Sequence, residues 1–161
     1  MKSETKLQTV KNFLTFSYSS TIFFLTDEKI KSVKTISENN NSFFYELKNN
    51  DKFSFFDFDK INDFFEINNK QNNNSSSSTI LFFEEKLSDK NIVLSTKAEC
   101  KVLEMPLGNF SVFPPFWEKY FKKFGLLAFT NFENKTGFLI NLKDLLNYYS
   151  NFELEKAEIK N

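Results

Sequence analysis

The sequence predicts a mostly β fold: an antiparallel β-sandwich with one or two short helices, preceded by a β-rich N-terminal segment. Three observations predict it. Aromatic and β-branched residues recur at period two in short runs, the pattern of half-buried strands. Asn-rich clusters punctuate those runs like turns. The chain is 40% hydrophobic and 18% aromatic, with 23 Phe among its 161 residues, which gives ample core material for one domain or two small ones.

The elements follow in order. Phe13–Tyr18 alternates loosely and Thr21–Leu25 is a short apolar run. Ile30–Ile36 places Ile30, Ser32, Lys34 and Ile36 on one face and Lys31, Val33 and Thr35 on the other. A turn at 38–41 leads to a strand at Phe43–Leu47, and a second turn at 49–52 leads to a strand at Phe53–Phe58. Ile61–Phe65 reads as a short helical turn. The stretch 68–78, Asn/Ser-rich and charged only at Lys70, reads as a linker or exposed loop. It separates a β-rich segment, 1–67, from a candidate sandwich, 79–161.

The second part repeats the texture. Strands are expected at 79–84, 92–94 and 98–105, with a turn at 87–91. Phe110–Phe113 is a strand stopped by Pro114 and Pro115, because proline cannot donate to a ladder. Apolar residues at 116, 117, 120, 121 and 124 have helical spacing, with Gly125 as terminator. Leu126–Phe132 and Phe138–Leu142 form a hairpin about residues 134–137. Segments 145–149 and 152–159 close the chain, the last as strand or short helix. Residues 19–24 also resemble residues 77–83, a hint of internal repetition.

Composition excludes much chemistry. All 21 basic residues are Lys; there is no Arg and no His, and 21 acidic residues bring the net charge to zero. Histidine bases, Ser-His-Asp triads, histidine metal sites and arginine fingers are therefore out of reach of this chain alone. The lone Cys100 makes neither an internal disulfide nor a cysteine metal cluster. A balanced charge argues against nucleic acid as partner. Three glycines, at 108, 125 and 137, make no phosphate loop. The abundance of Phe, Asn, Ile and Lys resembles A/T-rich codon bias, so aromatic content by itself does not signal binding. No run of about 18 apolar residues is present, and the polar start lacks a leader's apolar stretch. The expected location is cytoplasmic, with membranes reached only through a complex.

Few residue groups remain to carry chemistry. Asp57, Asp59 and Asp63 lack the glycine and bidentate glutamate of a calcium loop and read as a solvated turn. Cys100 lies in an alternating strand with no histidine to activate it. The cluster Phe116, Trp117, Tyr120, Phe121 and Phe124 reads first as core and second as a partner-binding patch, since Trp and Tyr are enriched at hot spots. No cofactor, metal or catalytic residue is assigned.

One stretch carries a resemblance. Pro106 and Gly108 form a turn, Phe110-x-Val112-x-Pro114 follows, then Gly125-Leu126-Leu127, then Phe138-Leu139-Ile140. Over residues 80–155 this resembles the N-terminal β-sandwich domain of the ε subunit of F1-type rotary ATPases, called δ in mitochondria. Phe116 stands where that family usually has His, and its usual Gly-Gly pair would fall near Lys143 and Asp144. The resemblance implies a non-catalytic central-stalk subunit of an F1-type or F1-like motor. Such a subunit packs on a γ-like partner and transmits torque through a stiff core. It implies Phe110, Val112, Trp117 and Leu126 as core or γ-facing residues. The alternative from the residues alone is a structural or interaction subunit of another multiprotein assembly.

Overall fold

The computed structural model describes residues 9–26, 30–37, 41–65 and 77–159, with the backbone alone for 41 and 152–159. The linker expected at 68–78 lies outside them except for Ser77 and Ser78, which open a strand. In chain order the elements are β1 (Val10–Ser17), β2 (Thr21–Thr26), β3 (Ile30–Ser37), α1 (Asn41–Asn49), β4 (Phe53–Asp57), α2 (Phe58–Asn62), β5 (Ser77–Leu87), β6 (Lys90–Thr96), β7 (Glu99–Pro106), β8 (Ser111–Val112), α3 (Pro115–Lys123), β9 (Leu126–Phe132), β10 (Lys135–Ile140) and α4 (Leu142–Ile159).

The described residues form two sheets, one of six strands ordered β7-β1-β2-β10-β9-β8 and one of four ordered β3-β5-β6-β4. The chain is mostly β, as its periodicity predicts, but the pairing is mixed: β10 runs parallel to β2, and β4 parallel to β6. Both sheets repeat one arrangement. In each, an antiparallel pair (β1-β2 or β5-β6) takes an antiparallel strand on one side and a parallel one on the other. A helix follows each parallel strand, α2 after β4 and α4 after β10. The similar sequences at 19–24 and 77–83 do not share this symmetry. The first enters β2, which borders the parallel strand, and the second enters β5, which borders the antiparallel one.

Each sheet takes strands from both sides of 68–78. β1 and β2 pair with β7 and β10, while β3 and β4 pair with β5 and β6. Side-chain alternation explains why the sheets stack. Leu14, Phe16, Phe23 and Leu25 of one sheet, with Leu81, Phe83, Ile92 and Leu94 of the other, fill a shared core that includes Phe58 and Ile61 of α2. The alternate positions fill two outer layers, Phe13, Ile22, Phe24 and Met105 on one side and Leu47, Ile80 and Val93 on the other. Around the central strands both faces of each sheet are thus buried, so those strands are apolar almost throughout. Phe23, fully buried, meets the rings of Tyr18, Phe58 and Phe65 at centroid distances of 6.0, 5.1 and 5.3 Å.

Three local expectations need correction. Phe43–Leu47 is part of the helix α1, not a strand; Phe43, Phe44 and Leu47 fall on one helical stripe packed on the outer layer of the smaller sheet. The C-terminal segments 145–149 and 152–159 join in the single helix α4 of 18 residues, so the chain has more helix than one or two short pieces. The hairpin turn between β9 and β10 is Glu133-Asn134, with φ of 48° and 64°, rather than 134–137. That is the left-handed pair required by a tight two-residue hairpin, as at Ser88-Asp89 between β5 and β6. Gly137 instead sits inside β10, where an added Cβ would lie 2.9 Å from the Phe24 ring and 2.7 Å from Thr130 Cγ2. The glycine lets those two side chains close over the strand.

A polar lock joins the sheets. Tyr18, in the β1–β2 turn, donates its hydroxyl to Asp59 Oδ1 of α2 at 2.8 Å. Thr96 at the end of β6 donates to the same oxygen at 2.8 Å, and the Lys97 amide to Asp59 Oδ2 at 3.0 Å. Thr21 Oγ1 donates to Asn62 Oδ1 at 2.7 Å. These bonds fix α2 between the sheets, and with it the aromatic residues that follow.

A candidate partner-binding surface

The helix α3 begins where Pro114 and Pro115 end the preceding strand, with Pro115 inside the first turn, where a missing N–H costs nothing. Lys122 and Lys123 close its last turn, favourable against the helix dipole. Gly125 then turns the chain at φ +76°, a left-handed conformation that suits glycine. Its carbonyl accepts from the Asn141 amide at 2.7 Å, and the Asn141 side chain accepts from the Asp144 amide at 3.1 Å, capping α4. An added Cβ at 125 would lie 2.5 Å from the Leu145 nitrogen and 2.7 Å from the Asn141 oxygen. The close approach therefore holds the end of α3 against the start of α4.

The aromatic residues of α3 divide into two sets. Phe121 and Phe124 are half-buried against the shared core, and Phe121 stacks on Phe113 at 4.3 Å. Phe116, Trp117 and Tyr120 face solvent with exposures of 85%, 49% and 52%. Rings link the sets: Phe116–Trp117 at 5.4 Å, Trp117–Tyr120 at 6.1 Å, Tyr120–Phe124 at 4.8 Å and Phe124–Tyr148 at 4.4 Å. Beside them lies a groove of about 310 Å³, walled by α3, α4 and the end of α2; its lining includes Phe64, Phe65, Tyr120, Phe124, Tyr148 and Tyr149. Its wall is almost wholly apolar and aromatic, the character of a binding cleft.

The residues singled out from sequence fall in different places. Leu126 is core, 4% exposed. Phe110 is half-buried in the outer layer, edge-on to Phe13 and Phe24 at 5.3 and 5.1 Å. Val112 is 78% exposed on the short edge strand β8, and Trp117 is on the solvent side of α3. The structure brings Trp117 together with Phe116 and Tyr120 and places Leu126 at the buried side of the groove beside them; Phe110 lies elsewhere, in the outer layer. Sequence reasoning did not find the groove walls at 64–65 and 148–149. Their available signal was a pair of aromatic doublets, Phe64-Phe65 and Tyr148-Tyr149, at helix-compatible positions far apart in the chain.

Three ionisable residues, Asp57, Tyr18 and Cys100, are absorbed by the fold. Asp57 accepts from the Asp59 amide at 3.1 Å and caps α2. Its carboxyl is pushed up by burial and then by the neighbouring Asp59 charge. Tyr18 is raised well above the ordinary phenol value, by burial first and Asp59 second. Burial also pushes the Cys100 thiol up to about 11, which keeps it protonated and a poor nucleophile. Among the described residues no group of three or more acidic or cysteine side chains is placed to hold a metal. No helix among them is long and apolar enough to cross a membrane.

No family model matches the chain, and no curated protein matches it in sequence. In structure it is similar to the scaffolding protein TtCheW from Thermoanaerobacter tengcongensis, with a TM-score of 0.54 and 14% identity over 90% of this chain and 93% of that one. At that identity the likeness shows the fold, which is thus one used by a scaffolding protein. It overturns the resemblance to the F1 ε subunit, and with it the central-stalk role, the torque-transmitting function and the γ-like partner. The physical reason lies in the sheets. The ε-like reading covers 80–155 alone, whereas β7 and β10 are completed by β1 and β2 from the other end of the chain.

Proposed function

We propose that this protein is a non-catalytic interaction or scaffold subunit of a multiprotein assembly, docking a partner through the exposed aromatic side of α3 and the groove beside it. The observation that carries this reading is the contiguous exposure of Phe116, Trp117 and Tyr120. Three large rings left in water next to an apolar cleft are unusual for a surface with no partner, and such rings anchor interfaces. The fold likeness to a scaffolding protein supports it.

Two of the four sheet edges, β3 and β7, are less suited to docking. β3 carries Lys31 and Lys34, and β7 carries Glu99, Lys101 and Glu104, charges that discourage strand addition. The test is photo-crosslinking in the native host. Phe116→p-benzoylphenylalanine should give a discrete partner adduct, and the same probe at Val33, exposed on β3, should not. Equal adducts at both positions, or none at 116, would overturn the reading.

A further inference from the structure

We infer that the occupant of the α3 groove is an acidic, amphipathic protein segment that inserts large apolar side chains beside Tyr120 while its carboxylates meet Lys119 and Lys123. The inference rests on the interaction reading above and specifies the partner's chemistry. Phe116 and Tyr120 are one helical turn apart, as are Lys119 and Lys123, so a ring pair and an ammonium pair run side by side along α3. Lys122 is already engaged, at 2.8 Å from Glu118. Lys119 and Lys123 are exposed and make no ion pair among the described residues. The helix thus carries three lysines against one glutamate in a protein whose net charge is zero. A row of lysines along the helix that forms one wall of an apolar cleft favours negative partners and steers their approach.

The cleft also sets the size of the anchor. A cavity of about 150 Å³ accommodates benzene, so a groove of about 310 Å³ has room for two leucine- or phenylalanine-sized side chains. Successive turns of an amphipathic helix present such a pair. A bilayer would also attract lysines and rings, but the groove is concave, and a flat surface would leave its walls at Phe64, Tyr148 and Tyr149 unfilled.

Trp117 is the sole tryptophan and stands at the rim, so its emission reports occupancy. The full chain is titrated with a short helical peptide bearing leucines at i, i+3, i+4 and i+7 and glutamates elsewhere, and with its charge-reversed twin carrying lysines. The acidic peptide should bind about tenfold more tightly at low ionic strength and shift Trp117 emission to the blue, the gap narrowing with salt. The K119E/K123E double variant should reverse the order, and F116A/Y120A should weaken both peptides about tenfold or more. Charge-blind binding, no binding, or preferential binding to vesicles of phosphatidylserine and phosphatidylcholine would overturn the inference. If the crosslink at 116 survives while charge preference is absent, the interaction reading stands and only this inference falls.

Discussion

The Tyr18 hydroxyl donates to Asp59 Oδ1 at 2.8 Å, joining the β1–β2 turn of one sheet to the helix that follows the edge strand of the other. Tyr18→Phe should lower unfolding free energy by about 1–3 kcal/mol, the cost of withdrawing one donor from a partly buried carboxylate. The measurement is the urea midpoint. The pH response follows from the raised phenol. Unfolded tyrosine ionises near its ordinary value of 10.0, while the folded one keeps its proton. The folded state then holds more protons, so stability is complete below pH 10 and falls as pH rises above it. The variant should lack that part of the alkaline decline.

Asp57 runs in the same direction at lower pH. Its folded carboxyl is raised above the ordinary 3.8, so the folded state is the better proton binder there. This contribution is most favourable below 3.8 and is lost as pH rises through the raised value. Asp57→Asn keeps the α2 cap, since Asn caps as well as Asp, and removes a charge beside Asp59. The variant should melt higher than the parent at neutral pH, with the difference closing in acid. A lower melting temperature at neutral pH would refute the assignment.

Gly125 fixes the turn that holds the end of α3 against the start of α4. Gly125→Ala should cost about 2 kcal/mol or more, because the left-handed backbone disfavours a side chain and the new methyl meets backbone atoms of α4. The groove should loosen with it, seen as a red shift of Trp117 emission.

Surface and core rings should respond in opposite ways. Phe116→Ala should leave stability within about 0.5 kcal/mol, as for exposed positions away from special features, while removing partner crosslinks from a probe at 120. Phe23→Ala should cost about 3–5 kcal/mol, because that ring is fully buried among four others. Chemical denaturation of both variants separates the two roles.

Much of the local structure is legible in the sequence. Period two marks β1, β3 and β7, a short apolar run marks β2, and the i, i+4 pattern after Pro115 marks α3, ended by Gly125. Phe43–Leu47 misleads because aromatic residues favour strands in general while their actual spacing suits a helix. Strand partners are not legible. Phe23 pairs with Phe138 and Phe16 with Cys100, and no local signal encodes such distant matches, so half of the chain can imitate a familiar sandwich motif. The surface is partly legible: Trp117 and Tyr120 can be flagged as a patch. Whether a ring at helical spacing is buried depends on what packs over it, and the covering elements are set by tertiary contacts.

The interleaving of the sheets has a consequence for how the chain is made. During synthesis the β1–β2 hairpin leaves the ribosome well before its flanking strands, β7 at Glu99–Pro106 and β10 at Lys135–Ile140. Its apolar faces and open edges must wait until those distant strands have been made. A nascent chain of this kind depends on prompt elongation or chaperone shelter, because the smaller sheet can close once β6 is made while the larger one still lacks four strands.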